Sequence, residues 1–315
     1  MRTLVQQSDV ISYEFENVPV ETIESLTARI PVYPPPDALR FSQDRLQEKQ
    51  LFEQLEIPVP GYRRIDSHSD LNAAIDELGL PLVLKTRRMG YDGKGQAIIR
   101  NRSEGESALA SLGSNDLIAE QWVAYDRELS AIGVRSVSGE LAFYPLTENR
   151  HEGGILRVSR APADDDKLTP MAVDYLTRLL ARFDYVGVLT LELFVYGERL
   201  LANEIAPRVH NSGHWTIEGA ETSQFENHLR AILDWPLGPT RALACAGMLN
   251  IIGEMPELGE PGSYERTFLH NYGKTARPGR KLGHVTVLGD DEKSREKALK
   301  QLAPAFPATA NCNSR

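Results

Sequence analysis

The segment Asn203–Thr216, NEIAPRVHNSGHWT, holds a carboxylate, an arginine, two histidines, two amides and a tryptophan within fourteen residues. That mixture is too polar for a core strand and too specific for a solvated loop. It reads as the end of a strand that runs into a reaction site. Just upstream, in VGVLTLELFVYGERLLANEIAPR, Glu192 lies between Leu191 and Leu193, and Glu204 between Asn203 and Ile205. Strand residues alternate faces, so each carboxylate points away from its apolar neighbours. A three-residue turn at Gly197, Glu198 and Arg199 would set the two directly opposite, with β-carbons about 5 Å apart. Like charges that close repel unless a cation sits between them. Oxygen-only ligands, with the Asn203 amide nearby, suit Mg2+, which keeps waters and phosphate oxygens in its shell. Two solvated glutamates on an exposed sheet face are the competing reading of the hairpin alone.

A second group of residues suits phosphate. The loop GYDGKGQ (Gly90, Tyr91, Asp92, Gly93, Lys94, Gly95, Gln96) lies between two strands, so it is neither a Walker loop nor a Rossmann turn. Its three glycines can lay backbone N–H groups over phosphates, with Lys94 adding charge. Lys85 closes the preceding apolar strand and aims at the same place. In EQWVAYDRE, Glu120 and nearby backbone suit an adenine edge, and Glu128 a ribose. A flexible surface hairpin and a solvated acidic turn are the plainer alternatives. Further on, Lys274, Arg280 and Lys281 in YGKTARPGRK make a basic patch suited to a phosphate, or simply a solvated turn.

Elements able to position these groups can be read around them. SQDRLQEKQLFEQLEIPVP is a helix with a serine start and a proline-limited end. In SHSDLNAAIDELGLPLVLKTR, Leu71, Ala74, Ile75 and Leu78 follow helical spacing. Gly79 and Pro81 then close the helix before the strand that carries Lys85. PVYPPPDALR reads as a proline-rich connector, and Pro170–Phe183 and TSQFENHLRAILDWPL as helices. LIAEQWV, RELSAIGVRS and LAFYPLTEN read as strands. This mixture of helices, strands and hairpins indicates an α+β or mixed α/β architecture.

Bulk properties narrow the function. The 315 residues are 41% apolar and 25% charged, and 35 Lys plus Arg against 44 Asp plus Glu leave a net charge of −9. This argues against nucleic-acid or membrane partners held by nonspecific charge, though not against a small anionic substrate. No apolar run is long enough to span a bilayer and the first residues lack signal-peptide patterning, so the expected compartment is the cytoplasm. Cys245 and Cys312 have no metal-binding spacing.

Together these parts resemble an ATP-grasp fold. More closely, FENVP, QDRLQEK, KTRRMGYDGKGQ, EQWVAYDRELS, LELFV, LLANEIAPRVHNSGHWTIE and YGKTARPGRKLGH occur in the order found in the 5-(carboxyamino)imidazole ribonucleotide synthases of purine biosynthesis. NEIAPRVHNSGHWT and RPGRKLGH carry the specific part of that resemblance. It implies ATP, bicarbonate and aminoimidazole ribonucleotide as substrates, Mg2+ (with Mn2+ as an alternative), carboxyphosphate as intermediate, and a homodimer. It implies ATP contacts from Arg45, Lys85, the Gly90–Gln96 loop, Glu120, Gln121, Trp122, Val123, Glu128, His151, Asn203 and Glu204. Glu192 and Glu204 would hold the metal, and Arg208, His210 and Asn211 would serve bicarbonate and carboxyphosphate. Glu14, Tyr91, Asp92, Lys94, Lys274, Arg280 and Lys281 would hold the ribonucleotide.

The same resemblance divides the chain at 1–38, 39–245 (with a small nucleotide lobe at 66–125) and 246–315. The first part is expected as the remnant of a Rossmann-like pre-ATP-grasp domain, with its last strand near Asp9–Phe15. The last part is expected as a small β-rich, barrel-like domain. Two other readings accompany this one: an ATP-grasp ligase with a different acceptor, and an inactive, shortened nucleotide-binding fragment.

Overall fold

In the computed structural model, residues 2–90, 94–113, 116–163, 165–257 and 265–306 are described. The small lobe follows from its caps and its apolar spacing. The Ser67 hydroxyl accepts the Asp70 N–H to start the helix His68–Leu78, and Gly79 at φ +78° ends it. Leu71, Ala74 and Ile75 from that helix pack on a four-stranded antiparallel sheet. Its order is Tyr62–Ile65, Leu117–Gln121, Leu82–Thr86, Gln96–Ile99.

The large sheet has nine strands. Along its main path run Arg199–Ala206, Gly187–Tyr196, Arg127–Arg135, Thr147–Glu152, Ile155–Ala161, Cys245–Ile252, Lys281–Gly289 and Thr267–Asn271. Leu141–Phe143 pairs with Arg127–Arg135 off that path. The helix Leu168–Arg182 covers one face, burying Leu176, Leu179 and Leu180 against Leu189, Leu191 and Leu193. Strands of the expected C-terminal domain therefore continue the same sheet as the expected central domain. No helix among the described residues is long and apolar enough to cross a membrane.

Several expectations are revised. The residues near Asp9–Phe15 form only a two-residue strand, Ile11–Ser12. The supposed connector contributes its parallel partner, Val32–Tyr33, and then a helix, Pro36–Ser42, that opens on a proline. With the helix Val20–Thr27 between them, these strands make a small βαβ unit over its own core of Ile11, Val20, Ile23 and Val32. The next helix, Arg45–Gln54, is capped by Asp44 rather than by a serine, its carboxylate accepting the N–H groups of Leu46 and Gln47.

Candidate active site

Glu192 does lie directly opposite Glu204, but not through a three-residue turn. Tyr196 pairs with Arg199, so the turn has two residues, and Leu193 pairs with Ala202. That register alone would oppose Glu192 to Asn203. A bulge between Leu193 and Glu192 absorbs Asn203 as an extra residue and brings Glu204 into register. It also resets the phase of the strand. Leu200, Ala202 and Ile205 all reach the core, at spacings of two and then three, and Asn203 and Glu204 are left together on the other face.

The helix Arg45–Gln54 meets this bulge with three charged side chains at helical spacing. Arg45 Nη1 donates to Glu204 Oε2 at 2.9 Å, Glu48 Oε1 accepts the Ile205 N–H at 2.7 Å, and Lys49 Nζ reaches the Asn203 and Ala202 carbonyls at 2.7 and 3.2 Å. Lys49 Nζ also lies 3.7 Å from Glu120 Oε2, which takes a 2.9 Å hydrogen bond from Lys85 Nζ. The helix thus ties the carboxylate hairpin of the large sheet to the lysine strand of the small one. Burial alone would neutralise Glu120, but Lys49, Lys85 and Arg45 outweigh it and hold its pKa down at about 2. Burial likewise opposes charge on Glu204, and Arg45 overcomes it, so its pKa is lowered. For Glu192 the opposing charge of His151 is the weaker influence. Burial first and then the charge of Glu204 push its pKa up.

On the far side of the pair, His210 Nε2 lies 3.3 Å from Glu192 Oε1. Its Nδ1 accepts the Ser212 N–H, so Nε2 is the protonated nitrogen of the neutral ring and faces the carboxylate. Burial, aided by the charges of Arg208 and Lys281, drives the His210 pKa well below the ordinary value. His210 therefore offers a neutral N–H. His151 behaves oppositely. Burial opposes its charge, but its short hydrogen bond to Glu128 and the Glu192 charge raise its pKa. Glu128 is also held by Tyr125, whose ring stacks on Phe194 at 4.7 Å.

Other expected residues sit at varying distances from this centre. Arg208 makes 2.9 and 2.6 Å bonds to one carboxylate oxygen of Glu16, and Asn211 exchanges amide hydrogen bonds with Asn250 at 3.1 and 2.6 Å. Glu14 is exposed; Glu16 is the FENVP acid that reaches the Arg208 end. Gly90 approaches so closely that a Cβ there would come within 3.1 Å of the Arg45 guanidinium. Gly95, at φ +71°, would clash with Thr86 at 2.5 Å, so its lack of a side chain is required. Lys94 is exposed, and Tyr91, Asp92 and Gly93 lie outside the described residues. Gln121 ends its strand, with Trp122 exposed and Val123 half-buried on the connection to the large sheet. Lys281 is close enough to influence His151, His210 and His214. Arg280 Nη1 donates to the Thr275 carbonyl, and Lys274 Nζ lies 5.0 Å from the Tyr272 ring centre.

Sequence reading missed Glu16, Glu48, Lys49, Tyr125, Gln224 and Asn250. Only Glu48 and Lys49 left a signal: with Arg45 they fall at i, i+3 and i+4 on one face of an otherwise ordinary helix. Gln224 brackets His210 by accepting its backbone N–H at 2.9 Å and donating to its carbonyl at 2.7 Å, a pairing fourteen residues apart that no local pattern announces.

Residues 50–225 match the ATP-grasp domain, 1–43 the ribonucleotide synthetase preATP-grasp domain, and 246–298 the phosphoribosylaminoimidazole carboxylase C-terminal domain. The chain is 48% identical over 287 residues to N5-carboxyaminoimidazole ribonucleotide synthase of Pseudomonas aeruginosa, covering 91% of this chain and 79% of that one. The synthetase structure from Thermus thermophilus is 50% identical with a TM-score of 0.92, covering 97% and 84% of the two chains. The Aspergillus clavatus synthase, solved with ADP and 5-aminoimidazole ribonucleotide, is 30% identical with a TM-score of 0.89, over 97% and 83%. The chain has the mixed α/β ATP-grasp fold and belongs to the N5-carboxyaminoimidazole ribonucleotide synthase family of ATP-dependent carbon–nitrogen ligases.

Proposed function

We propose that this chain uses ATP and bicarbonate to carboxylate the exocyclic amine of 5-aminoimidazole ribonucleotide, with the Glu192–Glu204 face of the hairpin as its reaction centre. The supporting observation is the bulged register. It gathers two carboxylates and an amide on one face, beside Arg45 and the Lys85–Glu120 pair of the opposite sheet.

The chemistry divides into two displacements. A bicarbonate oxygen attacks the γ-phosphorus of ATP and the bond to the ADP oxygen breaks, giving carboxyphosphate. The amine nitrogen then attacks the carboxyl carbon, and phosphate departs with the bonding pair and the amine's proton. Both steps build charge on oxygen, so fixed donors and cations are the protein's main contribution. In this reading Lys85, Arg45 and the Gly90–Gln96 loop hold the ATP phosphates, and Glu120–Val123 and Glu128 with His151 hold the nucleoside. Arg208 and the neutral His210 N–H serve the bicarbonate oxygens, while Asn211, locked to Asn250, shapes the wall. Lys274, Arg280 and Lys281, with Glu14, Tyr91, Asp92 and Lys94, receive the ribonucleotide.

Magnesium fits the donor set. Glu192 and Glu204 stand directly opposite each other on neighbouring strands, and the Asn203 amide hydrogen-bonds Glu192 beside them. Two carboxylates would leave further positions for phosphate and water oxygens in the shell of such an ion. Glu192 and Glu204 would hold it, and it would neutralise phosphate charge. A homodimer in the cytoplasm completes the proposal. Leu229, Leu233, Trp235 and Leu243 are exposed apolar side chains available for self-association, which sedimentation would reveal.

Protein mixed with ATP, Mg2+, bicarbonate and aminoimidazole ribonucleotide is expected to release phosphate. No release above that with ATP alone would overturn the reading.

A further inference from the structure

Arg199–Ala206 is the outermost strand of the large sheet, so groups on its outer edge have no strand partner. A bulge there adds a further residue whose carbonyl the ladder cannot use. Around Asn203, four backbone groups are nevertheless taken, one of them the Ala202 N–H, which donates to the Pro58 carbonyl at 2.7 Å. The Ala202 and Asn203 carbonyls accept from Lys49 Nζ, and the Ile205 N–H donates to Glu48. Lys49 and Glu48 are almost fully buried, at 1% and 2% exposure.

The position of the bulge matters because the extra residue has other places to go. Moved one step towards the turn, it would pair Leu193 with Asn203 and turn the Asn203 amide towards the core. Moved one step the other way, it would oppose Glu192 to Asn203 and carry Glu204 out of register. The apolar spacing of Leu200, Ala202 and Ile205 favours the observed place, but the hairpin's own backbone bonds do not hold it there. The two carbonyls that converge on one ammonium do, because they are brought to the same point only when the bulge sits at Asn203.

We infer that Lys49, with Glu48 beside it, is a positioning residue that pins the bulge at Asn203 and so sets Glu204 opposite Glu192. The same ammonium lies 3.7 Å from Glu120, the partner of Lys85, so the phosphate-side lysine and the carboxylate pair are placed by one buried charge. Lys49 acts through the backbone and touches no reacting atom. The inference rests on the proposed role of the carboxylate pair only for its effect on turnover. Its effect on the hairpin needs no substrate.

The experiment compares the full chain with Lys49→Met, which keeps bulk and loses all donors, and Lys49→Gln, which keeps two donors without charge. Hydrogen exchange across residues 199–206 is expected to speed up about tenfold or more in Lys49→Met, while the Cys245–Ile252 strand of the same sheet stays unchanged. For turnover, kcat should fall about a hundredfold with the KM for the ribonucleotide within about threefold, and Lys49→Gln should lose about tenfold. If Lys49→Met does not fold, Lys49→Gln decides, with faster exchange confined to 199–206 and the smaller fall in kcat. Exchange like the parent's in either folded variant overturns the inference. So does a lowered melting temperature with unchanged kcat per folded molecule. Should the parent chain itself release no ribonucleotide-dependent phosphate, the proposed activity fails while the exchange arm still decides the role of Lys49.

Discussion

Two buried polar clusters in this molecule respond to burial in opposite ways. Around the hairpin, Arg45, Lys49 and Lys85 face Glu120 and Glu204, and these opposite charges hold both carboxylates ionised against burial. Beyond His210 lies a stack of aromatic nitrogens. The His270 ring lies on His284 at 4.4 Å and 14°, and His214 tilts against His284 at 5.3 Å. Tyr272 hydroxyl meets His284 Nδ1 at 2.7 Å, and His270 Nε2 lies 2.6 Å from Glu218. Burial acts first here and the charged neighbours felt by His214 and His284 are positive, so both are driven down to about 3 and stay neutral. Low polarity does not decide charge by itself; the sign of what is buried alongside does.

The comparison breaks most visibly at Glu120. Glu120→Leu leaves Lys49 and Lys85 buried without their carboxylate and should cost about 3–5 kcal/mol, read as a lower denaturation midpoint. Next, Glu204→Gln removes the charge that Arg45 faces and is expected to lower kcat about 10²–10³-fold in the phosphate-release assay, with little loss of stability. If turnover survives, the carboxylate pair is not the reaction centre.

The two clusters should also separate along the pH axis. His214 and His284 have folded pKa values of about 3 against 6.5 in the unfolded chain, so unfolding takes up protons between those limits and stability is lost as pH falls through that window. Glu120, at about 2 against 4.5, contributes stability present above about 4.5 and lost as pH falls towards 2. Thermal melts should therefore lose about 1.4 kcal/mol per pH unit less between about 4.5 and 6.5 for His284→Gln, with the slope below about 3, where Glu120 alone of these groups titrates, unaffected. The smallest effect is expected from His284→Phe. Its Nε2 has no partner, and only the Tyr272 hydroxyl loses one, so the cost should be about 1 kcal/mol.

Legibility in the sequence followed the range of each interaction. The alternation of Leu189, Leu191, Leu193 and Val195 is a local pattern, and it sets Glu192 on the opposite face without reference to any partner strand. The Ser67 cap and the Gly79 stop were equally local. The pairing of Glu192 with Glu204 came out correctly from a wrong turn length, because a two-residue turn and a one-residue bulge sum to the same register. The phase slip from Leu200 and Ala202 to Ile205 was present in the sequence but reads as ordinary strand composition until the partner strand is known. Glu16 meets Arg208 across 192 residues, and nothing near either residue signals it.

Residue types and their spacing alone determined the parts of this protein: a carboxylate ribbon, a glycine loop after a lysine strand, and an ordered set of motifs, because alternation and capping act over a few residues. Which charge each part carries was settled only when the chain closed on itself. A lysine from one helix, two carbonyls from an edge strand and a glutamate from the other sheet must converge before burial has any sign. Convergence across such separations belongs to the tertiary structure.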